Sequence, residues 1–112
     1  MGTPAAGSIV LVPFPFSDLS QSKRRPAVVL AGAERGDWIL CQITSKSYAD
    51  ARAVELTDDD FEHGSLSVVS YARPAKLFTA HESLFVSEVG VLRAESLKRI
   101  TDQVVSLIQR NA

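Results

Sequence analysis

Cysteine occurs once in the 112 residues, at Cys41, and histidine twice, at His63 and His81. A single cysteine rules out an intramolecular disulfide framework and fits a reducing compartment. One cysteine and two distant histidines also lack the paired spacing of a zinc site. No run approaches the roughly 18 apolar residues of a membrane span, and Met1 to Ala6 has neither the cationic nor the apolar region of a secretory leader, so a cytoplasmic protein is expected. An excess of charge is missing as well, since 12 Lys and Arg stand against 13 Asp and Glu, for a net charge of −1. That balance argues mildly against a nucleic-acid binder, which is usually basic overall. The distribution argues the other way: Lys23, Arg24 and Arg25 are consecutive, while acids gather between Glu55 and Glu62. Local clusters set the potential that a phosphate feels within a Debye length of about 8 Å.

What is present is one apolar-rich domain. With 46% hydrophobic residues, a chain of this length buries most of the surface its unfolded form exposes and needs no metal or disulfide to fold. The domain is expected over 7–112, with 1–6 as a disordered lead-in. Its organising stretch runs from Ser8 to Leu30. The first apolar run, Ile9 to Val12, is β-branched and is expected to stop at Pro13 and Pro15, which lack the N–H a ladder needs. A second run, Ala27 to Leu30, begins directly after Lys23-Arg24-Arg25-Pro26, so three cations stand where the chain re-enters the sheet. Between them lies a loop from Phe14 to Lys23, longer than most connections and expected to be mobile or functional. Phe14 and Phe16 lie at its base, one expected in the core and the other able to stack on a nucleobase.

Further on, Trp38, Leu40, Gln42 and Thr44 alternate with Ile39, Cys41 and Ile43, the pattern of a strand with two distinct faces. Ser45 to Arg52 reads as a second irregular loop, and Thr44-Ser45 taken alone is an ordinary turn former. Val54 to Leu56 is a short strand. Thr57 to Gly64 reads as a capped helical turn with Asp58 as N-cap and Gly64 as stop, its acidic triplet solvated and not metal-binding. Val68 to Tyr71 and Ala75 to Phe78 are expected as two strands separated by a bend or bulge at Arg73-Pro74. Val86 to Leu92 is expected as the last strand, interrupted by Gly90. Leu97, Ile100, Val104, Leu107 and Ile108 recur at helical spacing and predict one amphipathic helix over Ala94 to Arg110. Five to seven short strands and a closing helix point to a mainly β fold, a small bent antiparallel sheet or barrel.

Taken in order, these motifs resemble the MazF/PemK toxins of bacterial type II toxin–antitoxin pairs. They are the strand Gly7-Ser-Ile-Val-Leu-Val12, the Ser-rich loop, Arg25-Pro-Ala-Val-Val-Leu30, Gln42-Ile-Thr-Ser45, Ser70-Tyr-Ala-Arg-Pro-Ala-Lys-Leu-Phe78 and the closing helix, spanning Gly7 to about Gln109. The resemblance implies an SH3-like barrel of the CcdB/MazF type with a C-terminal helix, usually dimeric. It implies a sequence-selective endoribonuclease that cuts single-stranded RNA with no metal or other cofactor, the ribose 2′-OH attacking its neighbouring phosphate. An acidic antitoxin of the MazE/PemI kind is implied as partner, with operator DNA contacted only through that antitoxin and no membrane.

Such a reaction needs a base for the 2′ proton, an acid for the leaving 5′ oxygen and a cation for the charge that develops on phosphorus. The resemblance puts the family's arginine before proline at Arg25, whose permanent charge suits the third role, and its threonine at Thr44, which would hydrogen-bond the phosphate or the attacking hydroxyl. RNA-binding positions implied in the same way, or by local charge, are Phe16, Asp18, Lys23, Arg24, Gln42, Ser45, Lys46, Arg73 and Lys76, with most weight on Arg24 and Arg73. The chain departs from branches of the family that carry a His in the first loop and an Asp near Ala72 or Arg73. Here Ser20 or Gln21 stands in the loop and Ser70 to Lys76 holds no acid, which leaves the base open among Asp18, a water and an arginine. Two other classes compete: a non-catalytic binding module on the same barrel, and a topoisomerase poison like the CcdB toxins. The latter share a C-terminal Trp-Gly-Ile, whereas this chain ends Ile108-Gln-Arg-Asn-Ala112 with its one Trp at Trp38.

Overall fold

Seven antiparallel strands make one sheet whose two edges are drawn together by the chain itself. A computed structural model describes residues 3–14, 23–47 and 50–110, with only the backbone of Phe14. The strands are β1 (Ser8–Phe14), β2 (Lys23–Gly32), β3 (Asp37–Thr44), β4 (Val54–Leu56), β5 (Phe61–Gly64), β6 (Ser70–His81) and β7 (Ser87–Leu92), followed by the helix α1 (Ala94–Arg110). Across the sheet the order is β4-β6-β3-β2-β1-β7-β5. This sets β4 and β5 at opposite edges, although only Thr57 to Asp60 separates them in sequence. Laid flat, seven strands would hold those edges about 29 Å apart at ~4.8 Å per strand, yet the five links from Leu56 to Phe61 reach at most about 18 Å. The sheet therefore curls into a half-barrel with one C-terminal helix, the mainly β barrel type expected from the sequence.

Alternation along the strands divides the apolar residues between two faces. On one, Ile9, Val28, Cys41, Ile43, Val54, Leu56, Phe61, Ala72 and Leu92 pack with Ile100 of α1, and Leu97 lies against them. Opposite, Val10, Val12, Ala27, Val29, Leu40 and Ala80 form a smaller cluster with Phe85, which follows a 3-10 turn at Glu82–Leu84. The helix runs from Ala94 to Arg110, as its spacing predicts. No helix among the described residues is long and apolar enough to cross a membrane.

Several local expectations are corrected. β1 does not stop at Pro13 but continues to Phe14, with Pro13 opposite Arg24. Pairing of β1 to β7 ends at Leu11, so Pro13 needs no donor on that side and the rule that confines proline to unpaired edges is kept. Thr57 to Gly64 is not one helical turn. Thr57 caps a 3-10 turn of Asp58–Asp60, and Phe61–Gly64 is a strand paired with β7. Asp58 is not the cap but accepts from the Ser65 hydroxyl at 2.8 Å. Gly64 has φ +79°, and a Cβ there would stand 2.3 Å from the Val89 carbonyl oxygen, so glycine is required by the strand contact as well as by the turn. Gly90 does not interrupt β7. It makes room for the Phe61 ring, whose Cδ2 would be 2.8 Å from an added Cβ. Val68 and Val69 lie outside the strands, and Ser70–His81 is a single strand. Of the lead-in, Pro4 is buried and the Ala5 carbonyl accepts from the Ser8 N–H at 3.0 Å.

Candidate functional site

Two polar constellations emerge from this scaffold, one at the seam of the half-barrel and one at the strand ends. At the seam, Asp60 links the 3-10 turn to α1. Its Oδ2 accepts from the Thr57 N–H at 2.8 Å, and its Oδ1 accepts from the Ser96 hydroxyl at 2.8 Å and from Arg99. Its carbonyl takes the Arg93 N–H at 2.8 Å. Burial alone would raise the carboxyl pKa, but the Thr57 and Ser96 hydrogen bonds and the Arg99 charge outweigh it and hold it below the usual range. Every oxygen is occupied by the fold, so this acid is a clasp.

At the strand ends the register gathers the residues singled out from the sequence. Pairing of β1 with β2 sets Arg25 opposite Val12 and Lys23 opposite Phe14. Between β2 and β3, Ala27 faces Gln42, and continuing that register two residues outward aligns Arg25 with Thr44. In turn Thr44 is opposite Tyr71 of β6, and Tyr71 is opposite Glu55 of β4. Directly opposed residues share a face, so Arg25, Thr44, Tyr71 and Glu55 form one row, with Lys23 and Gln42 on the same face. The row extends the smaller apolar cluster, whose outermost members Val12 and Ala27 adjoin Arg25. Arg24, opposite Pro13, projects to the other face of β2 by strand alternation.

Local chemistry explains how these side chains are held. Pro26 sits one residue before pairing with β3 begins at Ala27, and a residue before proline is kept extended, which fixes the backbone of Arg25. Thr44 ends β3 with its hydroxyl accepting from the Lys46 N–H at 3.1 Å. The turn-forming role of Thr44 is thus met, and the hydroxyl keeps its own proton to donate. Ser45 and Lys46 follow, both exposed.

The bulge expected at Arg73-Pro74 is present and wide. Ile43 pairs with Ala72 and Cys41 with Leu77, so Gln42 faces the four residues Arg73 to Lys76. The Cys41 thiol donates to the Arg73 carbonyl at 3.0 Å and fixes the start of the bulge. Burial pushes that thiol up to about 12, which leaves it protonated and unreactive at neutral pH. Arg73 Nε lies 3.9 Å from Asp50 Oδ2, with 21% and 14% of the two side chains exposed. Asp50 is itself fixed by the Arg52 N–H, 2.9 Å from its Oδ1. Lys23, Arg24 and Lys76 are exposed, and Arg25 and Gln42 are half-buried.

Phe16, Asp18, Ser20 and Gln21, together with the bulk of the 14–23 loop, lie outside the described residues, as does the side chain of Phe14. Among the described residues no group of three or more His, Cys, Asp or Glu could hold a metal ion. Sequence reasoning passed over Tyr71 and Asp50. On the sequence alone Tyr71 is a strand end within a longer motif, and its place opposite Thr44 follows only from the pairing of β3 with β6. The arrangement is suited to an anion: a permanently charged guanidinium with forked donors beside a hydroxyl donor on a partly shielded face.

Comparison with known proteins bears on the chain as a whole. Residues 5–108 match the family described as PemK-like, MazF-like toxin of type II toxin–antitoxin system. No curated protein matches the sequence significantly. Among solved structures, MazE-MazF (Form-III) of Deinococcus radiodurans superposes with a TM-score of 0.76 at 22% identity, over 96% of this chain and 98% of that one. An endoribonuclease in complex with its cognate antitoxin from a mycobacterial species gives 0.73 at 11% identity, over 97% and 96%. The Mycobacterium tuberculosis toxin MazF-mt6 gives 0.70 at 16%, over 91% and 96%. At these identities the superpositions speak for the fold.

Proposed function

Because this chain belongs to the PemK-like, MazF-like toxin family of type II toxin–antitoxin systems, we propose that it is a metal-independent endoribonuclease that cuts single-stranded RNA selectively at the Arg25 row. One observation carries the reading: a β2–β3 register, paired out to Ala27 and Gln42, whose continuation aligns Arg25 with Thr44 beside the cation run that begins at Lys23. Arg25 stabilises the charge that develops when the 2′-OH attacks the adjoining phosphate. Thr44, its hydroxyl oriented by the Lys46 N–H, donates to the same phosphate and holds the attack in line. Arg73, Lys23 and Lys76 attract and position the backbone, and Gln42 borders the scissile group from inside the row.

A homodimer would join two such rows into one groove. Exposed apolar pairs favour self-association: Ile39 and Leu77 on neighbouring strands, and Val105 and Ile108 one turn apart on α1. The regulatory partner is an acidic antitoxin segment that competes with RNA for the Lys23 to Arg25 cluster, since carboxylates and phosphates are drawn by the same charge. Solved MazF relatives include complexes with MazE.

The test is cleavage of a panel of short single-stranded RNAs in the presence of EDTA, with mapping of the product ends. The reading expects a 2′,3′-cyclic phosphate and a 5′-hydroxyl at one preferred sequence, and no cut when the nucleotide before that bond is 2′-deoxy. RNA bound without being cut would favour the binding-module alternative, and cleavage of the deoxy substrate would remove the 2′-OH mechanism.

A further inference from the structure

We infer that Tyr71 is the stacking platform for the nucleobase next to the phosphate held at Arg25 and Thr44, and so a specificity-determining residue of that site. The inference rests on the endoribonuclease reading and deepens it.

Tyr71 stands directly across from Thr44, with Glu55 on its other side. Paired strands keep such residues about 5 Å apart at Cα, so the row reads cation, hydroxyl, ring, carboxylate in steps of roughly 5 Å. An aromatic ring on a sheet face most often serves the core. Here the apolar cluster of this face is formed by Val10, Val12, Ala27, Val29, Leu40, Ala80 and Phe85, with Trp38 and Phe78 against it, and it does not include Tyr71. The ring's neighbours along the row are a threonine and an exposed glutamate, and it is itself only half-buried. It is held in place by pairing on both sides yet belongs to no packed cluster among the described residues, the condition of a platform that a planar ligand can cover.

The polarity of the row fixes the ligand's direction. Arg25 draws the phosphate, whereas the Glu55 carboxylate repels it, so the phosphate stays at the Arg25 end and the sugar extends over Thr44. The attached base then falls over Tyr71. An aromatic ring accepts any base face, and the adjacent carboxylate favours bases that present an exocyclic amine as donor.

The test uses the full-length protein and a short single-stranded RNA carrying one 2′-deoxy nucleotide at the cleavage position, with 2-aminopurine placed at successive positions. Stacking quenches 2-aminopurine fluorescence. The expected result is strong quenching at one position next to the scissile phosphate, lost in Tyr71→Ala, kept in Tyr71→Phe, and accompanied, on the same RNA with ribose at every position, by a roughly ten- to hundredfold rise in KM for Tyr71→Ala. A misfolded variant would lose quenching at every position, so Tyr71→Phe and the position dependence keep the test decisive. Quenching unchanged in Tyr71→Ala, with cleavage within about twofold of the parent, overturns the inference and leaves the endoribonuclease reading intact. Equal loss in Tyr71→Phe and Tyr71→Ala assigns the role to the phenol hydroxyl and also overturns it. A parent protein that neither binds nor cuts single-stranded RNA defeats the reading on which the inference rests.

Discussion

The clasp at Asp60 and the row at Arg25 are both charged constellations on the same half-barrel, and they differ in what answers the charge. At Asp60, the Thr57 N–H that opens the 3-10 turn and two side chains of α1 converge on one carboxylate, and its site lies where the two sheet edges meet. Folding is reason enough for that residue. At the strand ends the chain instead places Lys23, Arg24 and Arg25 in succession, where like charges repel one another. Arg25 stands half-buried beside Thr44 at the rim of an apolar cluster, where an anionic ligand would meet both side chains. A charge saturated by its own fold reads as structure, and a charge concentrated against its own kind reads as function.

The comparison breaks most sharply at Arg25→Ala. Removing one preorganised charge stabiliser is expected to lower RNA cleavage roughly a hundred- to thousandfold, while stability falls by only about 1 kcal/mol, the ordinary cost of a substitution at a half-buried site. Asp60→Ala reverses the pattern. It strands the Thr57 N–H and the buried Ser96 hydroxyl and removes the partner of Arg99, for an expected loss of about 2 kcal/mol in denaturant unfolding, with the cleavage rate of the folded fraction unchanged. Thr44→Ala takes away a neutral hydrogen bond worth about 0.5–1.5 kcal/mol, a two- to tenfold fall in cleavage. The Lys46 N–H it releases is exposed and finds water, so the melt stays in place.

The smallest effect is a pH dependence confined to the clasp. The folded pKa of Asp60 is depressed, so the folded state binds that proton less readily than the unfolded chain does. Its contribution to stability is fully present above the unfolded value of about 3.9 and is lost as pH falls through the folded value. Chemical denaturation followed below pH 4 should show the parent losing stability more steeply than Asp60→Asn. Equal slopes would remove the carboxylate from the acid transition.

Much of the clasp and the row was hidden from the sequence for one physical reason: both depend on register. The helix was legible because Leu97, Ile100 and Val104 repeat at 3.6 residues whatever they pack on. The two faces of β3 were legible because alternation is a property of the strand alone. By contrast, nothing local tells that Asp58 to Asp60 turns the chain from one sheet edge to the other, so Phe61–Gly64 reads as the tail of a helical turn ending in glycine. β6 reads as two strands because Arg73-Pro74 breaks the ladder locally, while its continuity rests on pairing with β3 to both sides of the bulge. Arg25 and Thr44 could be named through the family resemblance, but their alignment, and the placement of Tyr71 beside them, follow from long-range pairing that spacing does not encode.

The most direct test of the contrast is a single plot, cleavage rate on one single-stranded RNA against melting temperature, for the parent, Arg25→Ala, Thr44→Ala and Asp60→Ala under conditions where each is folded. The account predicts two separate directions. Arg25→Ala and Thr44→Ala fall in rate far more than their small shifts in melting temperature would explain, and Asp60→Ala falls in melting temperature at constant rate. Four points on one line, with activity tracking stability throughout, would contradict it.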